Sequence, residues 1–185
     1  MDTKTSIPIE ISNRHAHLSK EDIEKLFGKN YELTVLKKLS YPGEFSAKET
    51  IKIAELEARI VGPVRAFSQL ELSETDSRRL KLNLPVRISG DIKNAPLVEA
   101  RAQHGKTKIP AIIAKRHIHI TRKDSEKLGI NEKSTVSIKV EGELAVTFHN
   151  IAVRINDKQM TALHLNTDEG NAAGAKEGTK GILIK

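Results

Sequence analysis

The chain has 185 residues, none of them cysteine, with 38% hydrophobic and 3% aromatic residues, a formal charge of +7 and a pI near 9.5. The missing cysteines exclude disulfides, thiolate nucleophiles and Cys-based zinc sites, so any metal must be held by nitrogen and oxygen donors. No apolar run approaches the roughly 18 residues of a membrane span, and the first residues lack a signal-peptide layout, which predicts a cytoplasmic protein with no membrane partner.

Ile7, Ile9 and Ile11 predict a strand running into Arg14-His15-Ala16-His17, and alternation puts both imidazoles on one face, close enough to share an ion. Ser19 follows as a helix N-cap, with Asp22 placed to reach back in a capping box, and Gly28 and Asn30 can end the helix. Residues 31–36 alternate like a strand, and Pro42-Gly43 marks a turn. Thr50–Ile53 and Ala58–Val61 read as a tight hairpin, although Ala54–Glu57 between them is helix-prone. The break at Gly62-Pro63-Val64 can aim Arg65 inward. In Gln69-Leu70-Glu71-Leu72 the leucines face the core, which leaves Gln69 and Glu71 for a site.

Ser73 to Leu82 reads as a short capped helix, Pro85 to Ser89 as a strand, Gly90-Asp91 as a turn and Gly105 to Lys108 as a polar link. Ile109, Ala111, Ile112 and Ile113 then lead into Arg116-His117-Ile118-His119, with Thr121 as the next N-cap and Asp124 as its acid. Ser134 to Val140, a turn at Glu141-Gly142, and Leu144 to Val153 form another hairpin. Met160 to Leu165 is a last strand, ending in a polar, small-residue turn from Asn166 to Gly174. The fold expected is mainly β with short capping helices, built as small barrels.

The two His-x-His stretches are copies. Residues 14–26 return at 116–128, 102 positions on, with seven of the 13 positions identical, which indicates internal duplication and two small lobes. Five of the seven histidines, His15, His17, His117, His119 and His164, fall on or at the end of apolar strands, whereas His104 and His149 look incidental. With a carboxylate such as Glu71 they supply donors for one or two divalent ions, zinc suiting nitrogen and oxygen ligands of this kind. A lone pair would read as strand-end histidines; a duplicated set points to a site. The positive charge attracts anions, but with few aromatics and no tryptophan the stacking platforms of single-strand nucleic-acid binders are missing. Nucleic acid is therefore not the expected partner. The ligands alone would also suit a di-metal hydrolase, recognisable by turnover without phosphate. A basic small-barrel nucleic-acid binder would instead keep its activity after chelation and show steep salt dependence.

Ser12-Asn13-Arg14-His15-Ala16-His17-Leu18, Tyr41-Pro42-Gly43-Glu44-Phe45, Gly62-Pro63-Val64-Arg65, Ser89-Gly90-Asp91, His117-Ile118-His119-Ile120 and the run from Thr167 to Gly174, in this order over essentially the whole chain, resemble the PduL family of phosphate acyltransferases. The resemblance implies two interlocked β-barrel lobes with two zinc ions between them, and transfer of a propanoyl or acetyl group between coenzyme A and phosphate in a ternary complex. On that view residues 1–28 are a first strand and helix packing with the C-terminal lobe, 29–108 a central barrel and 109–185 the C-terminal barrel. His15, His17 and Glu71 would hold one zinc, and His117, His119 and His164 the other. Arg65 would bind phosphate and serve catalysis, while Ile11, Ser12, Asn13, Arg59 and Asn171 would contact coenzyme A. A homodimer is compatible with this reading.

The chain departs from the family at three places. The hairpin between Thr50 and Arg59 is shorter than the family's, which carries a coenzyme A lysine in a Gly-Pro-Lys-Gly tip; Lys52 is the candidate substitute. Leu165-Asn166 stands where Ile-Asp is usual. Family members packaged in microcompartments carry an N-terminal amphipathic extension, whereas only about six residues precede the first strand here, which predicts a protein free in the cytosol.

Overall fold

The computed structural model describes residues 5–158 and 160–184. The chain divides into two compact units: a central one, Asn13–Ala114, and a second made of the N-terminal strand through Ser12 together with the chain from Lys115 onward. These bounds differ from the expected ones for physical reasons. The helix after the first His-x-His pair buries Ile23 and Leu26 in the central core, and the strand leading to the second pair buries Ile109, Ala111 and Ile113 there. The outermost expected bounds, 1 and 185, lie outside the described residues.

In the central unit, β2 (His15–His17), β4 (Phe45–Ile53), β5 (Leu56–Gly62), β6 (Gln69–Leu72), β8 (Leu97–Arg101) and β9 (Lys106–Ala114) pair in the cyclic order β4-β5-β2-β6-β9-β8-β4. The short strands β3 (Val35–Lys38) and β7 (Val86–Arg87) attach to β4 and β9. In the second unit, β1 (Ser6–Ser12), β13 (Ala162–Asn166), β10 (His117–Ile120), β12 (Val146–Ile155), β11 (Thr135–Val140) and β14 (Lys180–Ile184) form a closed barrel in that order. The pairings match: β2 and β10 each take a parallel neighbour, β5 or β12, and an antiparallel one, β6 or β13, and the latter then runs parallel to β9 or β1. Membership is exchanged along the chain, because β1 precedes β2 in sequence yet belongs with β13, as β9 precedes β10 yet belongs with β6.

Alternation along these strands separates core from site. Ala16, Ile60, Leu70 and Ala111 point into the central core, and Ile118, Val153, Leu163 and Ile9 into the second. Each fully buried Ile or Leu contributes about 1.5–3 kcal/mol. The intervening residues, which include all six expected metal ligands, face away from their unit's core.

The helices are short: α1 (Lys20–Phe27), α2 (Glu74–Arg79), α3 (Arg122–Leu128) and α4 (Thr167–Ala172). Ser19 and Thr121 cap α1 and α3 as expected, accepting from the amides of Asp22 and Asp124, and Gly28 ends α1 at φ 107. The two acids do not reach back to the cap amides. Instead the amide of Ser19 donates to Ser68 Oγ, which donates to Asp22, and the amide of Thr121 donates to Thr161 Oγ1, which donates to Asp124. A hydroxyl from the neighbouring strand end thus does the work expected of the acid. True capping boxes occur at α2, Ser73 with Asp76, and α4, Asn166 with Glu169.

The expected polar turn at Asn166–Gly174 is therefore largely helix α4. Gly105–Lys108 is not a link, since β9 begins at Lys106 and pairs with β8, an unanticipated strand, as is β14. The 31–36 strand is shifted to Val35–Lys38, that at Pro85–Ser89 shrinks to two residues, and the Glu141-Gly142 turn falls at Glu143-Leu144. The β4–β5 hairpin is as tight as expected, with Ile53 opposite Leu56 and only Ala54-Glu55 at its tip. No helix among the described residues is long and apolar enough to cross a membrane.

Candidate active site

In the central unit His15 lies in register with Glu71 and His17 with Gln69, so β2 and β6 bring the expected ligands together. One donor atom from each of His15, His17 and Glu71 lies within 4.8 Å of the others, and His15 Nε2 is 3.8 Å from Glu71 Oε2. His15 Nδ1 lies 2.9 Å from the Asn13 carbonyl, and His17 Nδ1 2.9 Å from that of Val61. A carbonyl only accepts, so Nδ1 carries the proton in both rings, and neutral imidazoles present Nε2 as a lone pair, as a metal requires. Burial holds the His17 pKa down to about 4, reinforced by the charges of His15 and Arg65 and opposed by Glu71 and the Val61 carbonyl. At neutral pH it is an unprotonated donor.

Glu71 is itself oriented. Buried Gln69 donates from Nε2 to Glu71 Oε1 at 2.5 Å and to Ser89 Oγ at 2.6 Å, while its Oε1 accepts from the Gly90 amide at 2.8 Å. Ser89 and Gly90, part of the resemblance, thus act on Glu71 through Gln69.

In the second unit His117 lies in register with His164, and His119 shares their face. The three ring centroids are 4.7, 5.0 and 5.1 Å apart. His117 Nδ1 lies 3.0 Å from the Lys115 carbonyl, repeating the lock on His15, and its Nε2 is 3.0 Å from His119 Nε2. Glu10, in register with His164, brings Oε2 to 3.7 Å from His164 Nε2. Tetrahedral zinc with bonds of about 2.0–2.1 Å sets its donors about 3.3 Å apart, so the His15, His17 and Glu71 donors fit the ion after small adjustments.

Arg65 follows β5, its amide bonded to the Leu18 carbonyl. Its Nη2 lies 2.6 Å from Glu44 Oε1, and its buried Nε has no hydrogen-bond partner among the described residues. Arg59, in register with His15, donates from Nη1 to the carbonyls of Ala47 and Lys48, across the irregular stretch of β4. Lys52 is exposed beside Lys48, Arg101 and Tyr31, lining an open depression of about 450 Å³. Ile11 and Ser12 end β1, where Ile11 packs so closely on Gly170 that a Cβ there would lie 2.9 Å from its Cδ1. Asn171 is exposed on α4, and Asn13 contributes its carbonyl to His15. Of the coenzyme A candidates, Asn13 and Arg59 belong to the central unit and Ile11, Ser12 and Asn171 to the other.

A second repeat escaped the sequence reading. Ser68, Glu71, Ser73 and Asp76 occupy the places that Thr161, His164, Asn166 and Glu169 occupy 93 positions later: hydroxyl relay, expected ligand, helix cap and capping acid. The capping acid also grips the arginine before each histidine pair. Arg14 donates from Nε and Nη2 to Asp76 at 3.0 and 2.7 Å, and Arg116 from Nη1 to Glu169 at 2.7 Å. The strand that carries each histidine pair and the helix that follows its partner strand are thus tied together in both units.

The phosphate propanoyltransferase family model matches residues 8–176. A phosphate propanoyltransferase of Clostridioides difficile is 40% identical over 186 residues, covering 97% of this chain and 89% of its own. One from Thermotoga maritima is 42% identical over 188 residues, covering 97% and 89%, and one from Salmonella typhimurium 36% identical over 177, covering 91% and 84%. Matched over nearly its whole length, in the segments that build both clusters, this chain belongs to the phosphate propanoyltransferase family.

Proposed function

We propose that the protein is a zinc-dependent phosphate acyltransferase that converts acyl-CoA and phosphate into acyl phosphate and coenzyme A, and the reverse, with propanoyl or acetyl as the group transferred. The observation that carries this is the His15/His17/Glu71 cluster, whose two imidazoles have their Nδ1 protons held by carbonyls and their other nitrogens set for a cation, with His117, His119 and His164 on the corresponding strands of the other unit, in a chain of this family.

Zinc, when bound, supplies Lewis acidity that stabilises a thiolate leaving group and a developing oxyanion. The chain's own residues do the rest. The Asn13, Val61 and Lys115 carbonyls hold their imidazoles in one tautomer, and Gln69 fixes the rotation of Glu71. Arg65 holds phosphate through its guanidinium, with Glu44 steadying Nη2 and Nε available to a phosphate oxygen. A phosphate oxygen then attacks the thioester carbonyl carbon directly: the C–O bond forms, the C–S bond breaks, and coenzyme A leaves as thiolate to be protonated by solvent. Orientation replaces an acyl-enzyme. Lys48, Lys52 and Arg101 offer cations to the coenzyme A phosphates in place of the longer hairpin's lysine.

Initial-rate kinetics with propanoyl-CoA and phosphate test the reading. Intersecting double-reciprocal lines are expected for a ternary complex, and parallel lines would contradict it.

A further inference from the structure

Two fixed stretches of the central unit meet at one ion pair. Glu44 stands between the Pro42-Gly43 turn and β4, its amide donating to the Tyr41 carbonyl at 3.0 Å and its carbonyl accepting from the Leu39 amide at 3.1 Å. Phe45, next in the chain, lies in register with Gly62 and packs on it so closely that a Cβ there has no room. Arg65 is held from the other side, its amide donating to the Leu18 carbonyl at 2.9 Å and the residue bridging to Ser19. The backbones thus set where the side chains meet: Arg65 Nη2 donates to Glu44 Oε1 at 2.6 Å, with the two side chains 38% and 23% exposed. The Glu44 carboxylate accepts no other hydrogen bond among the described residues.

A guanidinium alone does not choose among tetrahedral anions. Its fork matches phosphate and sulfate alike, since both present acceptor oxygens, and a chain of formal charge +7 attracts either. What separates them is hydrogen: at neutral pH inorganic phosphate keeps one or two, sulfate none. A carboxylate only accepts. We propose that Glu44 sets the specificity of the phosphate site, its carboxylate accepting the hydrogen of a phosphate held on Arg65 and turning away tetrahedral anions that have none to give. This rests on the reading that Arg65 holds phosphate. Oε1 is committed to Nη2, which leaves Oε2 as the acceptor and the other guanidinium donors for the anion. An oxyanion on that fork adjoins the carboxylate. With a P–OH between them the two oxygens form a charge-assisted bond; without one, two anionic oxygens face each other at close range.

The test uses the whole zinc-loaded chain and initial rates of acyl transfer to phosphate at neutral pH and fixed ionic strength. In wild type, sulfate and monofluorophosphate, which carry no hydrogen there, should compete with phosphate at least about 10-fold more weakly than arsenate, which does; tenfold is the lower limit for a hydrogen bond to a charged group. A smaller margin overturns the proposal, and this arm needs no variant to fold. In Glu44→Gln, whose amide can turn to donate, and in Glu44→Ala, which removes the charge, the ratio of the sulfate inhibition constant to KM for phosphate should fall by at least about 10-fold. Loss of support for Arg65 alone would weaken both anions together, so a smaller fall or an unmoved ratio overturns the proposal. Arg65→Lys separates the two readings: a raised KM for phosphate there with an unmoved ratio at Glu44 overturns this proposal alone, whereas an unchanged KM overturns the placement of phosphate on Arg65 and the role of Glu44 with it.

Discussion

Replacing Gln69 with alanine makes the central unit match the other at this register position, where Ala162 stands opposite His119 as Gln69 stands opposite His17. The change removes the donor to Glu71 Oε1 at 2.5 Å, the donor to Ser89 Oγ and the acceptor of the Gly90 amide. The bond to Glu71 is charge-assisted and worth about 1.5–3 kcal/mol, the other two about 1 kcal/mol each. An independent route, the roughly 10–100-fold lost when a ligand's orienting partner is removed, corresponds to about 1.4–2.7 kcal/mol in zinc binding. The routes agree. We therefore expect Gln69→Ala to weaken one of the two zinc sites by about 10–100-fold in a two-step chelator titration, to leave the second unchanged, and to reduce kcat/KM through lost metal, recoverable with excess zinc. Unaltered affinity at both sites, or equal weakening of both, would refute the argument that Gln69 acts by orienting Glu71.

Arg65→Lys keeps the charge beside Glu44 but loses the fork and the buried Nε, so KM for phosphate should rise far more than KM for acyl-CoA, with about 1.5–3 kcal/mol lost in transition-state stabilisation; equal effects on both substrates would mark Arg65 as structural. His119→Ala should lose mainly one of the two ions, with the His15/His17/Glu71 site still occupied on metal analysis. In the metal-free chain His17 titrates at about 4 instead of 6.5, first because of burial. The unfolded chain therefore takes up this proton first as pH falls, so its contribution to stability is complete above about 6.5 and is lost at about 1.4 kcal/mol per pH unit on the way down to about 4; denaturant midpoints flat across that window would contradict the assignment.

Legibility followed the strength of local pattern. The His-x-His strands, their caps and the buried Leu70 and Leu72 could be read because spacing and alternation are local properties. The second repeat could not, because residues 68–73 and 161–166 share only two leucines while the site exchanges Glu71 for His164. It is register, a long-range property, that shows them to be equivalent. β8 and β14 were missed as short strands with charged ends, and Lys106-Thr107-Lys108 looked like a link although Thr107 turns inward to donate to Asp22. Helix α4 was legible in principle, since Asn166 and Glu169 have capping-box spacing; the small residues after them suggested a turn instead. Glu10 had no signal of its own on a strand of isoleucines until pairing set it beside His164.

The most direct test of the central claim is metal content measured together with acyl transfer on the same sample, before and after chelation. Close to two zinc ions per chain are expected after gentle purification, with propanoyl transfer to phosphate lost when both are removed and restored when zinc is returned. A chain stripped of metal that still transfers the acyl group at the full rate would contradict both the ligand sets and the mechanism built on them.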